Sequence, residues 1–398
     1  MKLIERTSYL NRLKRVQGTP DIKVITGIRR CGKSKLMEAF IAYLQSLESN
    51  VNIIHINFNL SEYKSLRMAD KLEQYVLEQY KQGQENVLCI DEVQLCTDFE
   101  SAINSLHARE CFDIYLTGSN AFLLSSDLAT LFTGRTMEIK VYPFSFAEFI
   151  RYFDSSDIQQ SFDDYVMQGG MAGSYLYSDM KDKYKYIADV YDTLILRDIR
   201  QKYNLRNYYL MDCLSDYMLD NVSNLTSVRN VAQTLCSAQL STNGKTVGAY
   251  IQYLCLAFAF YKMRRFDIRG KKYIASQDKY YLADHAFRFA KLGTKNLDYG
   301  RIYENIVAIE LQRRGYEVYV GTLYQKEIDF VAMRGNEKIF IQVSDDLSNQ
   351  ETFKREYTPL LQIKEAYPKL IIARTRHPRY DYQGIQIIDL AEWLKDCE

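Results

Sequence analysis

Eight consecutive residues near the start of the chain have the types and the spacing of a loop that binds a nucleoside triphosphate. The run GIRRCGKS, from Gly27 to Ser34, fits the pattern G-x-x-x-x-G-K-[ST]. Two glycines let the backbone curl until successive amide N–H groups point at one spot, where phosphate oxygens can lie. Lys33 is spaced to reach the β- and γ-phosphates, and the hydroxyl of Ser34 is suited to coordinate Mg²⁺. The predicted nucleotide-binding residues are Gly27, Ile28, Arg29, Arg30, Cys31, Gly32, Lys33, Ser34 and Lys35.

Two adjacent carboxylates supply chemistry that a phosphate loop lacks. Asp91 and Glu92 follow the apolar run VLCI, one strand and one helix after the loop. We predict that Asp91 holds Mg²⁺, usually through water, and that Glu92 orients and activates the attacking water. Acidic residues also end many ordinary strands, so this prediction depends on the phosphate loop upstream.

Three further polar residues are candidates for contact with the transferred phosphoryl group. Ser119 and Asn120, in LTGSN, are predicted to sense the γ-phosphate or the water, although Gly-Ser-Asn is also a good turn sequence. Arg135, in TGRT, is predicted to stabilise charge on the phosphoryl group, in its own subunit or on a neighbour. Arginines at sheet edges are common, and Arg29 and Arg30 fit a solvated pair as well as a nucleotide contact. The catalytic candidates are Glu92, Lys33, Asn120, Ser119 and Arg135.

Alternating strands and helices must position these residues. The run VIT leads directly into the phosphate loop, and the apolar residues after the loop recur on one helical face. Further strands are predicted near residues 51–58, 87–90, 113–117 and 136–141, with a helix near residues 69–82. This order is typical of an α/β parallel sheet whose ligand lies beyond the carboxyl ends of the strands. We assign residues 1–150 to this P-loop NTPase domain.

The rest of the chain divides into three predicted parts. Residues 151–207 are predicted to form a helical lid or linker, and residues 208–282 three helices followed by a hairpin, a succession that fits a winged helix. The three helices are expected near residues 208–219, 228–236 and 246–256, and the hairpin strands near residues 260–268 and 273–282. Residues 283–398 are predicted to form a second, smaller α/β domain.

Composition narrows the class of protein without choosing a function. A chain of 398 residues with 47% hydrophobic and 25% charged residues is an ordinary globular protein of two or three domains. No apolar run approaches the roughly 18 residues of a membrane span, and the amino terminus lacks a signal-peptide core. We therefore expect a cytoplasmic protein with no membrane partner. The net charge of +1 requires no nucleic-acid partner, and the oligomeric state stays open.

A local basic run is the best candidate for nucleic-acid contact. It flanks the turn of the predicted hairpin, and only Asp267 offsets it. The predicted DNA-binding residues are Lys262, Arg264, Arg265, Arg269, Lys271 and Lys272. Basic residues of this kind could contact phosphates next to a winged helix, but they are equally compatible with the solvated face of a hairpin.

Several motifs taken together resemble one known family. GIRRCGKS, VLCIDEVQ, LTGSNAFLLSS and the LFTGR…PFSFAEF run are similar to the AAA-like P-loop ATPases of bacteria and archaea. YVMQGGMAG, YDTLILRDI, YYLAD and ENIVAIELQRRGYEVYVG resemble that family's C-terminal domain of unknown function, so the resemblance covers nearly the whole chain. It implies ATP binding, a winged-helix segment and a terminal domain resembling the restriction-endonuclease fold. It does not imply a known biological role.

The terminal domain departs from an active nuclease at one position. Nucleases with the restriction-endonuclease fold use a helix glutamate, a strand aspartate and an [E/Q]-x-K motif to bind Mg²⁺ and activate water. Glu304, Asp329 and Gln342 fit these positions, but Ser344 stands where the lysine is expected. Because a neutral hydroxyl cannot replace a positioned cation, we predict a domain without nuclease activity.

Two functions remain open for the whole chain. In the first, ATP hydrolysis with Mg²⁺ is coupled to DNA binding through the winged-helix region. In the second, ATP controls a protein–protein switch in which the C-terminal domain binds a protein partner and no nucleic acid is involved. The salt dependence of DNA affinity separates the two, because each neutralised phosphate releases counterions.

Overall fold

The structure, a computed structural model, describes residues 4–47, 50–118, 132, 134–294, 298–324 and 326–396, without side chains at 194, 195 and 274–276. The chain separates into two units, Leu3–Val141 and Tyr142–Glu398. The first unit ends shortly before the predicted domain boundary at residue 150. The other predicted boundaries, at 207 and 282, lie inside the second unit.

The first unit is built on a parallel sheet, as the alternation of strands and helices predicts. Its strands are β1 Ile22–Thr26, β2 Val51–Asn57, β3 Glu85–Asp91, β4 Asp113–Thr117 and β5 Thr136–Lys140. They lie in the order β2-β3-β4-β1-β5, and each recorded pairing is parallel. The described helices are α1 Thr7–Arg15, α2 Lys33–Ser46, α3 Ala69–Glu78 and α4 Phe99–Ala108.

Burial explains why this sheet forms and where its polar residues gather. All residues of β1 and β4 are buried, as expected for central parallel strands covered on both faces. A core containing Val24, Ile90 and Leu116 joins the sheet to α3 and α4. Because the strands are parallel, their carboxyl ends meet at one edge, where the phosphate loop and Asp91 lie.

The second unit begins with helices whose starts are fixed by side-chain caps. Ser145 and Glu148 form a reciprocal capping box, and Asp157, Asp179 and Asn207 each accept a backbone N–H at a helix start. The described helices of this unit are α5 Phe146–Phe153, α6 Ile158–Gln168, α7 Met180–Tyr191, α8 Arg197–Lys202, α9 Tyr208–Asp220, α10 Val228–Ser237, α11 Gly244–Leu256, α12 Ala286–Leu292, α13 Tyr299–Arg313, α14 Gln350–Leu361 and α15 Leu390–Lys395. The three helices predicted before the hairpin are α9, α10 and α11.

An eight-stranded mixed sheet carries the rest of the second unit. Its strands are β6 Phe260–Asp267, β7 Lys272–Leu282, β8 Glu317–Leu323, β9 Lys326–Arg334, β10 Glu337–Ser344, β11 Lys369–Ala373, β12 Tyr380–Tyr382 and β13 Ile385–Asp389. They lie in the order β12-β13-β11-β10-β9-β8-β6-β7. The predicted hairpin strands therefore form, and they join the strands predicted for the terminal domain.

The hairpin is not a separate wing, because β6 pairs with β8 as well as with β7. Arg265, Phe266 and Asp267 lie opposite Val320, Gly321 and Thr322 in parallel register. Phe266 also enters the core of the terminal strands, together with Phe340 and Ile371. The predicted boundary between residues 282 and 283 thus falls within one continuous sheet.

Nothing in the described part of the chain forms a helix long and apolar enough to cross a membrane.

Candidate functional site

Two glycines give the phosphate loop its shape. Gly27 has φ +137, and a Cβ there would lie 2.0 Å from the carbonyl oxygen of Val141, so only glycine fits. Gly32 has φ +100 and immediately precedes α2. Ile28 and Cys31 are buried in the fold, whereas Arg30 is exposed and has φ 62. The loop therefore turns sharply from β1 into α2.

The lysines of the loop differ in their surroundings. The Lys33 ammonium is buried and donates to the carbonyl oxygens of Gly27 at 2.9 Å and Ile28 at 3.2 Å, so it lies over the loop. Lys35 is exposed and forms an ion pair with Glu38 at 2.5 Å. Of the predicted binding lysines, Lys33 is therefore the one directed at the loop, and Lys35 is engaged along the surface of α2.

The carboxylates after β3 are joined to β4 by one hydroxyl. Thr117 donates a short hydrogen bond to Asp91 and accepts the Glu92 backbone N–H at 3.2 Å. Glu92 has φ 57 and ψ 48, and its carboxylate accepts a short hydrogen bond from the Gln94 amide. Asp91 is buried and Glu92 is half-buried. The two acids are thus held at the sheet edge next to the loop by Thr117 and Gln94.

The residues at this edge fit a magnesium nucleotide. Gly27 packs against the Val141 carbonyl with no room for a side chain. The loop at this position is therefore bare backbone, and backbone N–H groups are what bind phosphate in such loops. Ser34 is the second residue of α2, whose N-terminus favours an anion. The Ser34 hydroxyl and the Asp91 carboxylate offer the hard oxygen ligands that Mg²⁺ prefers.

The remaining catalytic predictions have different outcomes. Ser119 and Asn120 lie outside the described residues. Arg135 precedes β5, where Thr136 lies opposite Ile22, whereas the phosphate loop follows Thr26. Five parallel residues at about 3.3 Å each separate these edges by roughly 16 Å. Arg135 is therefore at the wrong edge to act on the nucleotide of its own chain, and a role at a neighbouring subunit stays a prediction.

The predicted basic residues of the hairpin are not equivalent. Lys262 pairs with Asp278 at 2.7 Å, Arg265 is half-buried and donates to the Thr322 hydroxyl at 3.2 Å, and Arg269 lies 5.2 Å from the Tyr324 ring centroid. Lys262 and Arg269 are exposed as well, but each has the partner just named. The other three are also exposed on the hairpin: Arg264, Lys271 and Lys272. These three are the residues most available to an external phosphate.

The residues singled out in the terminal segment do converge, around an unexpected lysine. Lys279, on β7, is buried and pairs with Glu304 at 2.8 Å and with Glu327 at 2.6 Å. Glu304 also accepts the Tyr281 hydroxyl at 2.7 Å. Asp329 accepts the backbone N–H of Val343 at 2.8 Å. We call Lys279, Glu304, Glu327 and Asp329 the carboxylate–lysine cluster.

Gln342 completes the surroundings of this cluster. Its side-chain oxygen accepts the Asp329 backbone N–H at 2.8 Å, and its amide donates to Glu356 at 2.8 Å. Ser344 is buried, and its hydroxyl donates to the Asp346 carbonyl at 3.0 Å. Glu304, Glu327, Asp329 and other charged residues line a cleft of about 980 Å³. Among the described residues no group of three or more His, Cys, Asp or Glu side chains is arranged to hold a metal ion.

Burial and mutual repulsion raise the pKa values of two acids of the cluster, Asp329 and Glu304. Burial, then the neighbouring Glu304 carboxylate, raises the pKa of Asp329 well above its usual value, and Lys279 only partly offsets this. Burial also raises the pKa of Glu304, against the opposing effect of Lys279 and Tyr281. Burial opposes the charge on Lys279, but Glu304, Asp329 and Glu327 outweigh it and raise the pKa of the ammonium. Lys279 is therefore a permanent cation at neutral pH and not a base.

Several residues of these sites were not predicted, and two of them show different reasons. Thr117 ends the strand predicted near residues 113–117, and a hydroxyl at the carboxyl end of a strand in a predicted parallel sheet is the signal that points to it. Lys279 lies far upstream of Ser344 and inside a hairpin assigned to another domain. Only the pairing of β6 with β8 brings it to the cluster, so local sequence carries no signal for it.

Comparison with known proteins assigns part of this architecture. Residues 19–150 match the AAA domain family, and residues 159–298 match a domain of unknown function (DUF8612). An uncharacterized protein of Haemophilus influenzae is 35% identical over 398 residues, covering 98% of each chain. An uncharacterized protein of Methanocaldococcus jannaschii is 25% identical over 372 residues, 89% of this chain and 82% of that one. A Walker-type ATPase of Pyrococcus abyssi superimposes with a TM-score of 0.48 at 16% identity, covering 72% of this chain and 95% of that chain.

Proposed function

This chain belongs to the same family as the uncharacterized Haemophilus influenzae protein, and we propose that it binds and hydrolyses ATP. The proposal is supported by residues 19–150, which match the AAA domain family. The observation that carries the proposal is the shared sheet edge. The phosphate loop follows β1, and Asp91 and Glu92 end β3, with the β4 residue Thr117 hydrogen-bonded to both. Phosphate-binding backbone and water-activating carboxylate thus stand at one edge.

Each residue of the proposed site has one task. The loop N–H groups, the Lys33 ammonium and the N-terminus of α2 bind the phosphates. Ser34, and Asp91 through water, would hold Mg²⁺, which when bound supplies positive charge at the β- and γ-phosphates. Glu92 accepts a proton from the attacking water, and Gln94 orients the Glu92 carboxylate. Thr117 ties the Asp91 carboxylate and the Glu92 backbone N–H to the end of β4.

Nucleotide binding is tested by comparing two lysines of the same loop. Lys33→Ala removes the buried ammonium and is expected to abolish ATP binding. Lys35→Ala removes an exposed lysine that pairs with Glu38, and is expected to change the affinity by less than about fivefold, since such surface pairs contribute about 1 kcal/mol or less. Calorimetric titration of both variants with ATP and Mg²⁺ gives the answer. Equal affinity of the Lys33→Ala variant and the wild type would refute the site.

A second proposal concerns what the nucleotide state controls. We propose that it is coupled to DNA binding through the basic hairpin. The observation in favour is the exposure of Arg264, Lys271 and Lys272 on one hairpin, next to the Arg269 guanidinium stacked on Tyr324. Guanidinium and ammonium groups at such a surface can neutralise phosphates of the nucleic-acid backbone.

The salt dependence of DNA affinity separates exposed from engaged basic residues. Replacing Arg264, Lys271 and Lys272 with Ala is expected to reduce the slope of log affinity against log salt by about 2 to 3. The matched triple variant at Lys262, Arg265 and Arg269 removes the same charge from residues that already have partners, and is expected to change the slope less. A slope equal to that of the wild type in the variant at Arg264, Lys271 and Lys272 would argue against phosphate contact at these residues.

The rival function is an ATP-dependent protein–protein switch. If no DNA binding is measured at low salt, with or without ATP, the protein-partner alternative is favoured. In either case the C-terminal unit is proposed to lack nuclease activity. Ser344 provides no cation, and the ammonium of Lys279 is already paired with Glu304 and Glu327.

A further inference from the structure

A buried arginine from outside the motif contacts the phosphate loop. Arg6 precedes α1 and is only 6% exposed. Its Nη1 donates to the carbonyl oxygen of Cys31 at 2.8 Å, and its guanidinium carbon lies 4.5 Å from the Tyr9 ring centroid. Nη1 is also the nearest atom to a Cβ placed on Gly32, at 3.8 Å. The guanidinium is thus held at the turn between the loop and α2.

The direction of this hydrogen bond determines the direction of an amide inside the loop. A trans peptide group is planar, so its C=O and its N–H point to opposite sides. No peptide bond in the described chain is cis. When Arg6 holds the Cys31 carbonyl, the Gly32 N–H is therefore directed to the opposite side of the same peptide plane. In a phosphate loop the amides must face the anion and the carbonyls must face away.

This peptide group needs an anchor more than its neighbours do. Gly32 has no Cβ and lies at φ +100, a region open to glycine in several backbone conformations. A rotation of the Cys31–Gly32 peptide would turn a carbonyl oxygen toward the phosphate and withdraw an N–H. A charge-assisted hydrogen bond to the carbonyl opposes that rotation.

We propose that Arg6 is a positioning residue of the nucleotide site, which keeps the Gly32 N–H directed at the phosphates by holding the Cys31 carbonyl. The inference rests on the proposed ATP binding and adds a residue that the motif does not contain. It acts through the backbone, so Arg6 governs affinity for any nucleotide whose phosphates bind the loop. The rate of the chemical step depends on Glu92 and is little affected.

Arg12 on α1 provides a matched control. Its Nη2 donates to the backbone carbonyl of Glu138 at 3.1 Å, and its side chain is exposed. Both arginines therefore tie the α1 segment to a backbone carbonyl of the same unit, but only Arg6 does so at the phosphate loop. Arg6→Gln and Arg12→Gln remove the same charge from neighbouring turns.

The experiment measures the dissociation constant for ATP with Mg²⁺, together with KM and kcat, in the full chain. Arg6→Gln is expected to raise the dissociation constant and KM about tenfold, the loss typical of one charge-assisted hydrogen bond, with kcat changed less than threefold. Arg12→Gln is expected to leave all three constants unchanged. Arg6→Lys, which keeps a cation and a donor, is expected to recover part of the affinity. Arg6→Met, which removes the cation and the donor but keeps an unbranched side chain, replaces Arg6→Gln if that variant does not fold.

The outcomes separate this inference from the proposed function. If the wild type does not bind ATP, the proposed function fails. If the wild type binds and folded Arg6→Gln, or Arg6→Met in its place, binds as tightly, Arg6 has no positioning role. Equal loss of affinity in Arg6→Gln and Arg12→Gln would assign the effect to the attachment of α1 in general and would also overturn the inference.

Discussion

The phosphate loop and the carboxylate–lysine cluster are polar sites of this chain built in opposite ways. The loop uses the backbone of consecutive residues, and its side-chain requirements are two glycines, a lysine and a serine. The cluster uses side chains from β7, β9 and α13, and its charges neutralise one another. A site made of local backbone is visible in sequence as a whole, whereas the cluster is visible only in part, since the sequence points to Glu304 and Asp329 but not to Lys279.

The largest effect is expected at the loop glycine that admits no side chain. Gly27→Ala places a Cβ 2.0 Å from the Val141 carbonyl at positive φ, so the backbone must shift. We expect a loss of about 2–6 kcal/mol of unfolding free energy, from overpacking plus backbone strain, and loss of nucleotide binding. Denaturant unfolding measures the first and calorimetry the second.

Gly83 is the control for that substitution. It also has positive φ, +80, but a Cβ there meets nothing within 4 Å. Gly83→Ala is therefore expected to cost only the backbone strain, about 1–2 kcal/mol, and to leave nucleotide binding intact. Similar losses in the two variants would show that steric fit to Val141 is not what the loop requires.

The next effect tests whether the cluster depends on its single cation. Lys279→Met leaves Glu304 and Glu327 without their ion-pair partner, and we expect a loss of about 3–5 kcal/mol in unfolding free energy, as for other broken buried ion pairs. Lys262→Met, on the same hairpin, breaks the more exposed pair with Asp278 and is expected to cost about 1 kcal/mol or less. Equal costs would mean that Lys279 does not hold the cluster together.

Local elements could be predicted from the sequence better than their arrangement in space. The phosphate loop, Asp91 and Glu92, and the three helices and hairpin of residues 208–282 follow from glycine chemistry and from apolar spacing, which act over a few residues. The pairing of β6 with β8 joins residues 55 positions apart in the chain, such as Arg265 and Val320, and no local pattern specifies it. That pairing brings Lys279 to Glu304, so no local pattern points to Lys279.

Arg135 shows how the position of a residue along a strand limits its role. Its position next to a strand was correctly expected, since β5 begins at Thr136. In a parallel sheet the ligand lies beyond the carboxyl ends of the strands, so an arginine can reach it only from that end of its strand. Thr136 lies opposite Ile22, the first residue of β1, so Arg135 is at the amino edge. The strand predicted near residues 136–141 already begins after Arg135, so a parallel sheet with its ligand at the carboxyl ends conflicts with a role for Arg135 in its own subunit.

The smallest expected effect is a dependence of stability on pH. The pKa of Asp329 is raised in the folded chain, so the folded state binds more protons than the unfolded state as the pH rises above the usual aspartate value. Stability is therefore lost as the pH rises through that window. Asp329→Asn removes the titration, and we expect the variant to gain unfolding free energy over the wild type at pH 7 and to match it more closely at pH 4.

Asp346 provides a comparison of opposite sign. Hydrogen bonds from the Ser348 hydroxyl and backbone lower the pKa of this exposed carboxyl. Its contribution to the free energy of unfolding is present above the usual aspartate pKa and is lost as the pH falls. Asp346→Asn is therefore expected to lose stability at pH 7 relative to the wild type, with the difference closing at low pH. The same direction in both variants would contradict the assigned pKa shifts.

The central claim is that Glu92 activates water at an ATP site formed by the phosphate loop. The most direct measurement is ATP turnover together with ATP affinity in Glu92→Gln, with Glu100→Gln at the first turn of α4 as the control. We expect Glu92→Gln to bind ATP within about threefold of the wild type and to lose about 10²–10⁴-fold in turnover, the usual contribution of a general base, while the control retains turnover. Hydrolysis by Glu92→Gln at the wild-type rate would contradict the claim.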